Sequence, residues 1–181
     1  MVLGKIISTT LKQEVLSKYK TEIFIETGTA CGGGVKIALS VGFSKIFSIE
    51  INKDLYLANL EKFKNNKEVI LIHGDSGLEF PSLISKIDRQ ATFWLDAHFH
   101  KRKQVIRTWC PLYEELQAIS TSPIKNHIIM IDDMRVFGNS MWGKRVSKEK
   151  VIEKILSINP NYKITYEDNT MAEKDVLVAT I

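Results

Sequence analysis

Two short segments place three carboxylates where they could share one task. Asp96 closes the run Leu95-Asp96-Ala97-His98, and Asp132 with Asp133 closes the run Ile131-Asp132-Asp133. Adjacent parallel strands lie about 4.8 Å apart, so two such ends can form one site. Three converging carboxylates repel one another, and a divalent cation relieves that repulsion. An oxygen-only set suits Mg²⁺, Ca²⁺ or Mn²⁺. Such an ion binds a substrate hydroxyl and lowers its pKa, readying it as a nucleophile. His98 and His100 flank the set, and a neutral imidazole could take the hydroxyl proton or ligate the ion. Packing or a surface position is the plainer role for either histidine. Asp96 and His98 stand as alternative bases.

A second segment, Phe24-Ile25-Glu26-Thr27-Gly28-Thr29-Ala30-Cys31-Gly32-Gly33-Gly34, follows a short apolar run and opens a helical one. Gly28 permits a tight turn, and Gly32 to Gly34 permit close approach of ligand or chain. The pyrophosphate fingerprint of dinucleotide enzymes needs G-x-G-x-x-G, whereas this spacing is G-x-x-x-G-G-G. The loop therefore suits a sulfonium nucleoside without a pyrophosphate, with Glu26 facing a cationic amino group. Glu50 ends the next apolar run, where an acidic side chain accepts both ribose hydroxyls. Gly74-Asp75-Ser76 ends the third run. Asp75 or Ser76 can bond an adenine edge or cap the following helix.

These residues need a scaffold that brings run ends together. Ile23–Glu26, Ile46–Glu50, Val69–His73, Thr92–Asp96 and Ile128–Asp132 read as five strands covered on both faces, as in a parallel sheet. Helical spacing separates them. A helix covers about residues 8–20, within an N-terminal helical segment 1–20. Tyr56, Leu60 and Phe63 form a stripe behind an Asn52 cap. Leu83, Ile84 and Ile87 follow Pro81 as a first-turn residue, and Leu112, Leu116 and Ile119 follow Pro111. Val151, Ile152, Ile155 and Leu156 form the last stripe, stopped by Pro160. Tyr162–Glu167 and Asp175–Ile181 then read as a terminal antiparallel hairpin. The expectation is a Rossmann-like α/β/α three-layer sandwich, with a mostly parallel seven-stranded sheet, in one domain over residues 1–181. Ligands of such sheets bind outside the carboxyl ends of the strands.

Composition agrees with a folded chain. The 181 residues include 25 basic and 21 acidic side chains, a formal net charge of +4, with 44% hydrophobic residues. These values exclude disorder and collagen-like structure. No apolar run reaches the ~18 residues of a membrane helix. Met1 to Lys20 lacks the pattern of a secretory leader, and Cys31 and Cys110 form no CxxC pair. A cytoplasmic location is expected. Lys101, Arg102, Lys103 and Arg107 form one basic cluster, a solvated loop or an anion site. The loops Phe99–Cys110 and Met134–Arg145 carry Arg107, Trp109, Arg135 and Trp142 as candidates to position an anionic or sugar substrate. Tyr113-Glu114-Glu115 reads as a solvated helix face. His73 and His127 receive no role.

The order E-T-G-T…G-G-G, I-E-I, G-D-S resembles the class I S-adenosylmethionine-dependent methyltransferases over nearly the whole chain. The resemblance implies that Glu26, Thr27, Gly28 and Thr29 line the methionine and ribose side, with Gly32 in the same loop. It implies that Glu50 holds the ribose, and that Asp75 and Ser76 border adenine. Asp96, Asp132 and Asp133 are similar in placement to the metal ligands of metal-dependent O-methyltransferases, especially those acting on macrolide and aminocoumarin sugars. Ala97-His98 departs from that group's loop, and the chain lacks room for a large lid. The expected cofactors are S-adenosylmethionine and a divalent cation, with Mg²⁺ first. The expected acceptor is a hydroxyl of a small molecule or sugar.

Two rivals stand beside this reading. Nucleic-acid methylation suits the pI of about 9.0, but there is no N/D-P-P-Y/F motif, and Cys110-Pro111 reverses the cytosine-methylating dipeptide. A non-catalytic binding module would keep the fold and lose transfer. A dinucleotide oxidoreductase or a metal-dependent hydroxylase on a similar sheet is a smaller alternative. Apolar surface near the N-terminal helix or the hairpin could pair subunits.

Overall fold

The computed structural model describes residues 9–97, 110–138 and 146–181. Seven strands form one sheet in the order β3-β2-β1-β4-β5-β7-β6. Their ranges are β1 Ile23–Thr27, β2 Lys45–Glu50, β3 Val69–His73, β4 Ala91–Leu95, β5 Ile128–Ile131, β6 Lys163–Glu167 and β7 Val176–Thr180. The first five run parallel, with Ile25 opposite both Phe47 and Phe93. Strand β7 adds antiparallel to β5, and β6 pairs antiparallel with β7. The expected three-layer sandwich and terminal hairpin are what the chain forms.

The helices are α1 Gln13–Lys18, α2 Gly33–Val41, α3 Lys53–Phe63, α4 Ser76–Ile84, α5 Leu112–Thr121 and α6 Lys148–Ile158. Strand alternation sends side chains to two separate cores. Phe24, Ile46, Trp94, Met130 and Val178 face α1 and α2, while Ile25, Ile49, Phe93, Ile131 and Leu177 face α4, α5 and α6. Strands β1 and β4 are buried throughout, as their continuous apolar runs demand. No helix among the described residues is long and apolar enough to cross a membrane.

Four local expectations change. The N-terminal helix is shorter, and residues 9–12 before it are not helical, with Lys12 in β geometry. Helix α4 starts at Ser76, so Pro81 lies inside it rather than in its first turn. Helix α3 is rotated from its expected stripe: Asn59 and Phe63 are buried, while Leu60 is 39% exposed. Strand β3 is an edge strand and only partly covered, so its apolar run does not mark burial on both faces. The Asn52 cap forms as read, accepting the amides of Asp54 and Leu55.

Candidate functional site at the carboxyl edge of the sheet

The glycine segment leaves β1 in a turn that the backbone dictates. Gly28 has φ +84°, and its N–H donates to Ile49 O at 2.9 Å. A Cβ on Gly28 would lie 2.7 Å from the Asp96 carbonyl oxygen. Glycine is thus required there both for the left-handed φ and for contact with the end of β4. At Gly34 the space of a Cβ is already filled by the carboxylate of Glu26, and at Gly32 by Asn59 and Phe63 of α3. The glycines therefore admit the chain's own groups.

Glu26 is 2% exposed and sits beneath the start of α2. Ser48 Oγ donates to its Oε2 at 2.5 Å, and Thr29 Oγ1 lies 2.6 Å from Ser48 Oγ. Burial pushes the Glu26 carboxyl up to about 8, against the bond from Ser48. Glu50 accepts the Ala30 N–H at 2.8 Å on one oxygen and the Asn52 N–H at 2.7 Å on the other. It thereby ties the glycine loop to the start of α3. Burial raises the Glu50 pKa, and these amides oppose the rise. Asn59 donates to Ala30 O at 2.8 Å, fixing the loop from the other side.

Asp75 and Ser76 divide their work. Asp75 caps α4, accepting the Gly77 N–H at 2.9 Å. Ser76 turns inward and donates to Glu115 Oε1 at 2.6 Å. Glu115 is 1% exposed, so the solvated face expected for it is wrong. It lies on the inner side of α5, and burial pushes its carboxyl up to about 7, against hydrogen bonds from Ser76 and Thr27.

The fold brings Asp96, Asp132 and Asp133 together. One oxygen of each lies within 4.8 Å of the others. Asp96 follows β4, and its N–H donates to Thr27 O at 3.3 Å; the Asp132 N–H donates to Leu95 O at 3.2 Å. These backbone bonds carry the parallel register one residue past each strand. Burial raises the Asp96 pKa well above the usual carboxylate range, and Asp132, Asp133 and Glu26 add to it. Asp132 is fully buried and pushed up to about 6, first by burial. It accepts hydrogen bonds from Thr10 Oγ1 and, at 2.7 Å, from Asn169 Nδ2. Asp133 holds a left-handed φ of +62°, and Arg135 Nη1 lies 2.6 Å from its Oδ1. The donor set fits a hard cation, since three carboxylate oxygens this close together are the ligands such an ion takes.

Arg135 also bonds Asp175 through its backbone N–H at 2.7 Å and through its guanidinium. It braces the β5 exit against the start of β7, a packing role for one of the candidates to position substrate. His98, His100, Arg107, Trp109, Trp142 and the basic residues Lys101, Arg102 and Lys103 lie outside the described residues. His73 stacks on Tyr56 with ring centroids 5.1 Å apart. Ser48, Thr10, Asn169 and Glu115 belong to the site's framework and escaped the sequence reading. Ser48 alone left a signal there, as a lone hydroxyl inside the apolar run Ile46–Glu50.

No protein-family model matches the chain, and no curated protein matches it in sequence. Solved structures do match. An O-methyltransferase from Bacillus cereus in complex with S-adenosylhomocysteine superposes with a TM-score of 0.62 at 15% identity, over 93% of this chain and 78% of that one. A methyltransferase from Podospora anserina, also bound to S-adenosylhomocysteine, gives 0.60 at 14% identity over 93% and 75%. A protein provisionally described as an rRNA methylase from Clostridium thermocellum gives 0.59 at 15% identity over 92% of each chain. At these identities the likeness establishes the fold.

Proposed function

We propose that this protein transfers a methyl group from S-adenosylmethionine to a hydroxyl of a small molecule or sugar, assisted by a divalent cation. The observation that carries the reading is the contact of Gly28 with the Asp96 backbone. It sets the nucleoside loop directly against the carboxylate cluster, so a methyl donor and a cation-bound hydroxyl would be neighbours. The likeness to methyltransferase structures holding S-adenosylhomocysteine supports the same reading.

Thr27, Gly28, Thr29 and Gly32 would form the wall on the methionine and ribose side, with Glu26 beneath them and Glu50 at the ribose. Asp75 and Ser76 would border adenine through the turn they hold. Asp96, Asp132 and Asp133 would hold the cation, with Mg²⁺ the first choice for three carboxylates. When bound, the sulfonium cofactor supplies an electrophilic methyl and the cation supplies Lewis acidity. The chain would supply position: the two backbone bonds past β4 and β5 hold Asp96 and Asp132 side by side, where the acceptor oxygen would meet them. Asp96, beside the acceptor, would be one candidate to take the proton of that hydroxyl. His98 remains the alternative base.

The test is transfer of labelled methyl from S-adenosylmethionine to a panel of phenols and sugars, with Mg²⁺ or with EDTA. Label should enter a hydroxyl only with Mg²⁺, and Asp132→Ala should remove transfer while sparing cofactor binding. Equal transfer in EDTA and in Asp132→Ala would refute the cation. Cofactor binding without transfer to any acceptor would mark a binding module. RNA methylation is the second reading, favoured by the Clostridium thermocellum likeness and the net charge of +4. Salt-sensitive binding of RNA oligomers, with label in the RNA, would establish it instead.

A further inference from the structure

We propose that a strap formed by the two ends of the chain sets the orientation of Asp132, and that Thr10 and Asn169 are positioning residues of the cation site. The inference rests on the cation reading above and concerns residues that none of the motifs contains.

The strap begins before α1. Leu11 is 2% exposed in the core beneath α2 and anchors the non-helical segment. The Thr170 N–H donates to Thr10 O at 2.9 Å, latching this segment onto the turn between β6 and β7. Thr10 Oγ1 then donates to Asp132 Oδ2 from one side. From the other side Asn169 Nδ2 donates to Asp132 Oδ1 and to Asp175 Oδ2, each at 2.7 Å.

The chemistry of Asn169 is not interchangeable. Its Oδ1 accepts the N–H groups of Met171 at 2.8 Å and Ala172 at 2.9 Å. Two donors on the carbonyl oxygen fix which end of the amide is which. The NH₂ end must then face the two carboxylates, and an amide presents two donors there. Asn169 is 3% exposed, and protein groups take both of its donors and both acceptor positions. Residues that orient metal-binding carboxylates typically change affinity about 10–100-fold when removed.

The experiment is titration of the full-length protein with Mn²⁺, following the free ion by electron paramagnetic resonance. Wild type, Thr10→Val, Thr10→Ser, Asn169→Ala and Asp133→Ala are compared, with melting temperature recorded for each. Thr10→Val and Asn169→Ala should weaken Mn²⁺ binding about 10–100-fold, and Thr10→Ser should restore the wild-type value. Thr10→Val swaps a partly exposed hydroxyl for a methyl, so it keeps the test alive if Asn169→Ala does not fold. Wild-type Mn²⁺ affinity in folded Thr10→Val, with binding lost in Asp133→Ala, would overturn the strap and leave the cation site standing. No Mn²⁺ binding by wild type would overturn the cation reading and the strap with it.

Discussion

At the amino end of the sheet, His127 is enclosed and partnered on both ring nitrogens; at the carboxyl end, half-buried Asp96 sits among like charges. His127 Nδ1 accepts the Ala91 N–H at 3.1 Å, leaving its proton on Nε2, 3.0 Å from Ser122 Oγ. Tyr162 donates to the His127 carbonyl at 2.7 Å, and Thr92 donates to Tyr19 O at 2.6 Å. Burial pushes His127 down to about 4, so the ring stays neutral and its network is satisfied. Across the sheet, burial pushes Glu26 to about 8, Glu115 to about 7 and Asp132 to about 6. Both ends bury polar groups on the same strands. Among the described residues only the carboxyl end buries carboxylates whose charges oppose folding.

The largest effect should separate the ends by activity. Asp96→Asn should lower methyl transfer by at least ~100-fold, about 2.7 kcal/mol of barrier, while raising the melting temperature at pH 8. A lower melting temperature would mean that Asp96 serves the fold, and the contrast would fail.

The next effect is in pH. Glu26 has a folded pKa of about 8, above the ordinary carboxylate value. The folded state therefore binds its proton more tightly than the unfolded chain does. Its stabilisation is fully present below the unfolded value near ~4.5 and is lost as pH rises through about 8, by at most ~5 kcal/mol. Glu26→Gln should flatten that loss in urea melts at pH 5, 7 and 9. His127 acts with the opposite sign: its stabilisation is lost as pH falls from ~6.5 through about 4. Parallel curves for wild type and Glu26→Gln would remove the carboxyl-end penalty from the account.

His127→Ala should lower stability by ~2–3 kcal/mol at pH 7, since it strands the Ala91 N–H and opens a cavity against Phe93. Its effect on S-adenosylhomocysteine affinity should be within twofold. Smallest is Thr92→Val, which removes the bond to Tyr19 O and the contact with Thr21 Oγ1 and should reduce stability by ~1 kcal/mol without changing transfer. Loss of cofactor binding in either variant would show that the two ends are coupled.

Sequence alone located the strand ends well, because each run from Ile23, Ile46, Thr92 and Ile128 is mostly apolar and closes on a carboxylate, Glu26 and Glu50 within their strands and Asp96 and Asp132 one residue past theirs. Parallel order then placed Asp96 beside Asp132 and Asp133. Helix faces were less legible. In α3 the amide of Asn59 is buried to hold Ala30 O, so hydropathy pointed to Leu60 instead. Glu115 looked like surface because charge normally means solvent; only the packing of α5 on Ser76 and Thr27 shows otherwise. Thr10 and Asn169 were invisible for a different reason. They meet Asp132 across 122 and 37 positions of sequence, and neither lies in a patterned element.

The central claim is that this carboxyl edge holds a sulfonium nucleoside, and calorimetric titration with S-adenosylhomocysteine tests it most directly. Protein titrated with Mg²⁺ present, and again in EDTA, should bind one S-adenosylhomocysteine per chain in both conditions, with NAD and ATP giving no heat. No binding of S-adenosylhomocysteine in either condition, or saturable binding of NAD in its place, would contradict the account.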